Sequence, residues 1–507
     1  MKNIIAMAAA AALAAGAAFG KTKVALYFDT EDYTCDRSND AIRDIANVLK
    51  SEGVKGNFNV VGFLALRLAE LGRQDVIEAL RHHVIGTQTL YHSLHPDIAE
   101  LGDDPSYERA YRRTMAEEAK GVGMLEAVFG EGRVIFACPP GNSVSAVAMD
   151  VYSDLGIKFN AATGFYSDAS ATSGYAAHGT YGGGLLVRPG CTVDGLWYFN
   201  QYHPPYYTSF TLESLFPRKG AQCPDFAKLL DRLAKFDYAG LYMHPHMALK
   251  LRHWDGPNYR YGNNCEWRKW QQVEDRDPAD TAVFYERLKA LVRALKADAR
   301  FEMTDIAEMA RRIKPRRAIT AAEIPAIRKA LAKDFNTIRE PASWSVADAF
   351  QAAVKLLRGE KSHAPGYVYG FLHPPKGVET ETTVKTADLK AAAEKLDLDT
   401  FIPPEIEVGG VKIGPADFLY AALEALDTGA DRVRVKPRDQ LGPIHQLMPT
   451  LATYNMKGKW PLYMDTFEDK YLTARLRLQL WTLRYEPSIE TRFTQAAWNY
   501  GEEEVIR

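Results

Sequence analysis

The stretch Val24-Ala25-Leu26-Tyr27-Phe28-Asp29-Thr30-Glu31-Asp32 decides the reading of this chain. An unbroken apolar run of this length fits a strand buried on both faces. Three carboxylates follow it at once, and they repel one another unless a cation or hydrogen-bond donors share them. An acidic cluster at a strand end is what a divalent metal site with a neighbouring carboxylate base requires. A solvated turn or a helix cap would use the same residue types.

The pattern repeats outward from this strand. Ile42, Ile45, Val48 and Leu49 give helical spacing over 41–49, and a strand signal over 56–61 follows. Leu64, Leu68, Leu71 and Ile77 predict one helix over 64–80. Further strand signals lie at 84–86, 134–138, 157–161, 185–188 and 240–244, and a helix over 282–295 leads into a strand at 301–303. This alternation predicts an α/β fold, a parallel sheet or barrel with helices outside it. In that architecture chemistry gathers at the carboxyl ends of the strands.

The sequence Arg311-Arg312-Ile313-Lys314-Pro315-Arg316-Arg317 reads as a solvated linker. It divides an α/β unit over 21–313 from a mainly α-helical accessory region over 314–507. Helices are expected there at 324–331, 346–357, 386–396 and 415–426, with few strand signals.

Composition narrows the classes. The 507 residues suggest roughly two to four domains at about 150 residues each. Charges nearly cancel, with 62 Lys+Arg against 64 Asp+Glu, so nothing pulls the chain toward nucleic acid. Lys2, the apolar run 4–18 and Ala18-Phe19-Gly20 read as a signal peptide over 1–20, which predicts a secreted or periplasmic protein. No later apolar run approaches the roughly 20 residues of a membrane span. Cys35, Cys138, Cys191, Cys223 and Cys265 cannot all pair internally, although an oxidising compartment permits one or two disulfides.

Other residues could carry chemistry. In His92-Ser93-Leu94-His95-Pro96 two imidazoles one helical turn apart can face one cation. In His244-Pro245-His246 an imidazole at a strand end could protonate a leaving amine. Trp254, Tyr259, Tyr261, Trp267 and Trp270 lie in a polar segment, 252–272, where aromatic faces either stack on sugar rings or pack a lid. The aromatic run 202–207 raises the same choice. Pro140, in a Pro-rich turn, and Trp197 complete the substrate-facing candidates. Gly182-Gly183-Gly184 reads as a plain turn.

Four landmarks in order resemble the NodB-homology polysaccharide deacetylases, carbohydrate esterase family four. They are the strand-end motif 27–32, the stretch VKGNFNVVG at 54–62, IGTQTLYHSLHP at 85–96 and YMHPH at 242–246. The resemblance implies a distorted (β/α) barrel of about seven strands. It implies zinc or a similar divalent ion held by one carboxylate and two histidines, with a second carboxylate as base and a late-strand histidine as acid. Carried over, Asp29 is the base, Glu31 or Asp32 the carboxylate ligand, His92 an imidazole ligand and His244 the acid.

Two positions depart from the pattern. Gln88, a neutral oxygen donor, stands where the family has its other histidine ligand, and His95 could enter instead from three residues beyond His92. Ala137 stands where the family has an arginine that orients the base. Residues 401–413 and the helix after them loosely resemble the pseudomurein-binding repeat. The implied function is a secreted metal-dependent deacetylase of an N-acetylated polysaccharide or cell-wall glycan. The alternatives are a carbohydrate-binding protein on an impaired deacetylase barrel, or a barrel used only as a scaffold. The sequence leaves the oligomeric state open.

Overall fold

A computed structural model describes residues 21–140, 145–157, 159–160, 186–187, 207–217, 225–235, 238–312, 317–333, 335, 338, 341–342, 344–442, 462–464, 466–468, 470–482 and 484–485. The apolar run before Asp29 is the centre of the molecule's main sheet. Strand β1 (Thr22–Thr30) buries Val24, Leu26 and Phe28 completely, as a parallel strand covered on both faces should. Around it lie β2 (Asn57–Val60), β3 (Val84–Thr87), β4 (Val134–Ala137), β5 (Phe159–Asn160), β6 (Tyr207–Thr211), β7 (Tyr238–Met243) and β8 (Phe301–Thr304).

The sheet order is β5-β4-β3-β2-β1-β7-β6, with β8 added beside β1, and every pairing is parallel. β7 occupies one edge of β1 from Lys23 to Phe28. The other edge is shared: β8 takes Thr22–Ala25 and β2 takes Tyr27–Thr30. This is the expected parallel sheet of about seven strands with helices packed outside it. All these strands point their carboxyl ends the same way, which delivers the ends of β1, β2, β3 and β7 to one face.

The helices follow their apolar faces. Ser38–Ser51 buries Ala41, Ile42, Ile45 and Leu49. The single helix expected over 64–80 is two, Gly62–Glu70 and Gln74–Leu80. Gly72 between them holds φ +66°, a left-handed conformation that ends a helix. Gly62 is needed for closeness: a Cβ there would lie 2.7 Å from the Cα of Gly121 on the long helix Tyr107–Phe129.

Other expectations shift. Leu186–Val187 is a strand, but it pairs antiparallel with Arg484–Tyr485 and not in the main sheet. The sheet position beside β7 belongs to Tyr207–Thr211, whose β-prone Tyr-Thr-Ser-Phe-Thr was masked in the sequence by the prolines just before it. Cys35, Cys138 and Cys265 are free thiols. Cys191, Cys223, the leader 1–20, the run 202–206, Gly182–Gly184 and Trp197 lie outside the described residues. Among the described residues no helix is long and apolar enough to cross a membrane.

A second buried cluster, separate from the one around the main sheet, gathers Trp344, Phe350, Phe418 and Trp481. The linker residues 313–316 lie outside the described residues. Helices Ile324–Lys333, Val346–Leu357, Thr386–Lys395 and Pro415–Thr428 build this part. It holds more strand than expected: Thr382–Lys385 pairs with Arg432–Val435, Ile406–Val408 with Val411–Ile413, and Ile319–Thr320 with Ser362–His363. Strands of two to four residues are too short to show a two-residue period. Residues near the end serve both parts, since Leu462 belongs to the first cluster and Trp481 to the second.

Candidate metal and acid–base centre

Asp29 sits one residue before the end of β1, and Asn59 lies opposite it in register on β2. Asn59 Nδ2 donates to Asp29 Oδ1 at 2.7 Å. Glu31, just past the strand, is held from two sides: Gln88 Nε2, beyond the end of β3, donates to Oε1 at 3.1 Å, and Trp254 Nε1 donates to Oε2 at 2.8 Å. These donors fix where both carboxylates point.

His92 is brought in by a turn in which Thr89 and His92 are both left-handed, at φ 65° and 61°. Its Nδ1 lies 2.6 Å from Ser93 Oγ, and Ser93 Oγ in turn donates to Asp255 Oδ2 at 3.0 Å. A hydroxyl has one proton, so Ser93 must accept from His92 Nδ1–H. That leaves His92 Nε2 turned to the centre, 3.3 Å from Glu31 Oε1. His244, at the end of β7, is set the same way. Its Nδ1–H donates to Glu213 Oε1 at 2.9 Å, and its Nε2 lies 3.5 Å from both Asp29 Oδ2 and Glu31 Oε1.

Electrostatics follow from burial and crowding. Burial, with the Glu31 charge, raises the Asp29 carboxyl above its usual value, although His244, Asn59 and His92 oppose the rise. Burial would also raise Glu31, but His92 and His244 more than offset it and hold Glu31 well below the carboxylate range. His244 is pushed up to about 10: burial works against its cation, and Glu31, Glu213 and Asp29 outweigh burial. Burial, joined by the neighbouring imidazoles, holds His246 well below the usual range. Both ring nitrogens of His246 are buried without a hydrogen-bond partner, and its ring centre is 5.8 Å from that of His244 and 5.5 Å from that of His253.

The geometry chooses among the sequence candidates. Asp29, Glu31, Gln88, His92 and His244 come together. Asp32 does not join them, because Oδ1 accepts from Thr34 N and Oγ1 and Oδ2 accepts from Ser38 Oγ at 2.5 Å. His95 is engaged elsewhere, with Nδ1 2.8 Å from Glu100 and Nε2 3.3 Å from the Tyr259 carbonyl. The turn after β3 is not helical, so the three-residue spacing does not put His95 beside His92.

Trp254 is no sugar platform: it is 1% exposed, packed on Tyr33 and His92, and bonded to Glu31. Pro140 is buried. Tyr261 and Trp267 remain outward, 62% and 65% exposed. Trp267 lines a groove of about 820 Å³ with Phe63, Trp270, Arg37 and Lys250.

Sequence reasoning missed Asn59, Glu213, His253 and the Ser93–Asp255 relay. Asn59 was within reach, since it lies in the quoted stretch 54–62 and pairs by register with Asp29. Nothing around Glu213 marks it. Ala137 is fully buried at the end of β4 and brings no cation to Asp29, so the orienting contact comes from the neutral Asn59 amide.

The donor set fits a divalent cation. Two imidazoles are pinned at Nδ1 by acceptors, which turns His244 Nε2 toward Asp29 and Glu31 and His92 Nε2 toward Glu31. Ligand atoms of Asp29, Glu31 and His244 all lie within 4.8 Å of one another. Gln88 Oε1 beside them is buried without a hydrogen-bond partner.

No family model and no curated protein matches the sequence. Among solved structures the chain is similar to a family 4 carbohydrate esterase from Streptomyces lividans in complex with acetate, at 13% identity and TM-score 0.28 over 54% of this chain and 90% of that one. It is similar to a CE4 family pseudoenzyme from Bacillus anthracis at 14% identity and TM-score 0.30, over 57% and 65% of the two chains. A 4-alpha-glucanotransferase from Thermococcus litoralis is also similar, at 10% identity and TM-score 0.38, over 58% and 41%.

Proposed function

We propose that the chain is a secreted, metal-dependent deacetylase acting on an N-acetylated polysaccharide or cell-wall glycan. The observation that carries the reading is the grouping of Asp29 and Glu31, from the end of β1, with His244, from the end of β7, while His92 faces the same Glu31 oxygen. Glu31 and His92 would hold a divalent ion, zinc or one like it, and an ion bound there would polarise an acetyl carbonyl and acidify water.

The protein's own groups supply the proton transfers. Asp29, held at Oδ1 by Asn59 and raised by burial, keeps Oδ2 turned to the centre to accept a proton from the attacking water. The imidazole of His244, edge-on to those of His246 and His253, returns a proton to the departing amine nitrogen. Outward Tyr261 and Trp267 offer faces for sugar rings. The part built on the second cluster serves as an accessory domain.

Acetate release from N-acetylated chitin-type oligosaccharides and from peptidoglycan tests the reading. The unmodified protein should release acetate, and Asp29→Asn should lose about 10²–10⁴-fold in rate. Gln88 and Ala137, two departures at core positions, favour one second reading, a binding protein on an impaired barrel. That protein would be retained on the glycan and release no acetate.

A further inference from the structure

We propose that His244 is a metal ligand in this chain, grouped with Asp29 and Glu31, with Glu213 behind His244 and His92 reaching the same Glu31 oxygen. The proposal rests on the metal-dependent reading above and removes His244 from the proton-donor role it has there.

Distances separate this arrangement from a network of hydrogen bonds. N–H···O bonds cluster at about 2.7–3.2 Å. Two atoms each about 2.1 Å from one zinc at the tetrahedral angle lie about 3.4 Å apart. The three separations across the centre are 3.3 Å from His92 Nε2 to Glu31 Oε1, and 3.5 Å from His244 Nε2 to Glu31 Oε1 and to Asp29 Oδ2. On the same His244 ring, Nδ1 meets Glu213 Oε1 at 2.9 Å, an ordinary hydrogen bond. One side of the imidazole is bonded, and the other stands off at the edge length of a tetrahedron.

The support behind the ring points the same way. A carboxylate on the far nitrogen is how proteins orient histidine ligands and raise their basicity. Glu213 plays that part for His244, and the Ser93–Asp255 relay plays it for His92. Gln88 does not compete: as placed, its amide nitrogen faces Glu31, and an N–H₂ group cannot ligate. The second histidine missing from position 88 is thus replaced from across the sheet, by β7. His246 is then the buried imidazole with unbonded nitrogens beside the centre, 2% exposed.

The test measures metal and not turnover. Zinc affinity and content of the full chain are compared with those of His92→Ala, His244→Ala and His244→Ala/Gln88→His. The visible spectrum of Co(II)-loaded protein reads coordination number. Unmodified protein should hold about one ion with the intense bands of four-coordinate cobalt. His244→Ala should weaken zinc binding by more than the roughly 10–100-fold that loss of a supporting partner costs, with loss of band intensity. Adding Gln88→His should restore much of it.

If His92→Ala loses zinc while His244→Ala keeps the unmodified affinity and spectrum, His244 is not a ligand and the deacetylase reading stands without this proposal. If the unmodified protein binds neither zinc nor cobalt, the metal-dependent reading itself fails. Should His244→Ala not fold, Glu213→Gln reads the same contact. It should weaken zinc binding about 10–100-fold, and an unchanged affinity there overturns the proposal.

Discussion

Among the described residues, two groups of one histidine and two carboxylates, Asp29–Glu31–His244 and His95–Asp97–Glu100, are built in opposite ways. In the second, the contacts among the three members are short and local. Asp97 Oδ1 accepts from Ala99 N and Glu100 N at 2.9 and 3.0 Å, and Glu100 Oε2 accepts from Asp97 N at 2.9 Å and faces His95 Nδ1 at 2.8 Å. That is a capping box at the start of the helix Ile98–Gly102, with an imidazole added. In the first, Asp29 and Glu31 come from the end of β1 and His244 from the end of β7, their supports are Asn59, Gln88, Trp254 and Glu213, and the central separations exceed hydrogen-bond length. Residue types alone do not make a site; what the remaining lone pairs face does.

The largest expected difference is in stability. Glu31→Ala would leave the Trp254 indole N–H and the Gln88 amide without their acceptor and remove the charge that faces the imidazoles of His92 and His244. Breaking a buried charged contact of this kind costs about 3–5 kcal/mol. Glu100→Ala removes one half of a capping box, worth about 0.5–2 kcal/mol. Urea denaturation of both variants measures the gap. Equal losses would mean that the two groups are alike after all.

Metal sharpens the comparison next. Free zinc at about 100 times its dissociation constant should stabilise the unmodified protein by about 2.7 kcal/mol. His95→Ala should show the same gain, and His92→Ala none, read as the shift in denaturation midpoint with and without zinc. A gain that disappears in His95→Ala would move the metal to the capping box.

The strand–helix alternation was legible because β1, β4 and β7 lie on apolar runs of four or more residues, and β2 and β3 fell on the shorter signals between the helical spacings. The helix after Ser345 was equally legible, since Ser345 and Asp348 form a capping box that the sequence spells out. Asp29 and His244 were legible as strand-end residues. What joins them was not. Trp254 bonds Glu31 across 223 positions, and its polar surroundings suggested an exposed ring. His95 was misplaced because helical spacing was assumed where left-handed Thr89 and His92 turn the chain. Glu213 follows residues with no motif, and its partner is set by the order of β6 and β7 in the sheet.

The smallest effect, expected in acid, comes from Asp97. Burial, with the Glu100 charge beside it, pushes its carboxyl up to about 7, against backbone bonds and His95 that favour the anion. Its Oδ2 is buried without a hydrogen-bond partner, which disfavours the ionised form for the same reason. A carboxyl raised on folding binds its proton more tightly in the folded chain. Its contribution is therefore complete below the unfolded value near 3.8 and is lost as pH climbs through about 7. Asn has the shape of the neutral acid and is as good an N-cap. Asp97→Asn should thus change stability by less than about 1 kcal/mol below the unfolded value near 3.8 and remove the fall between there and about pH 7 that this group causes. Denaturation midpoints of both proteins across that range decide it. Parallel curves would show that Asp97 titrates as an ordinary exposed carboxyl, and that the capping box is a solvated structure where the centre at Asp29 is a closed one.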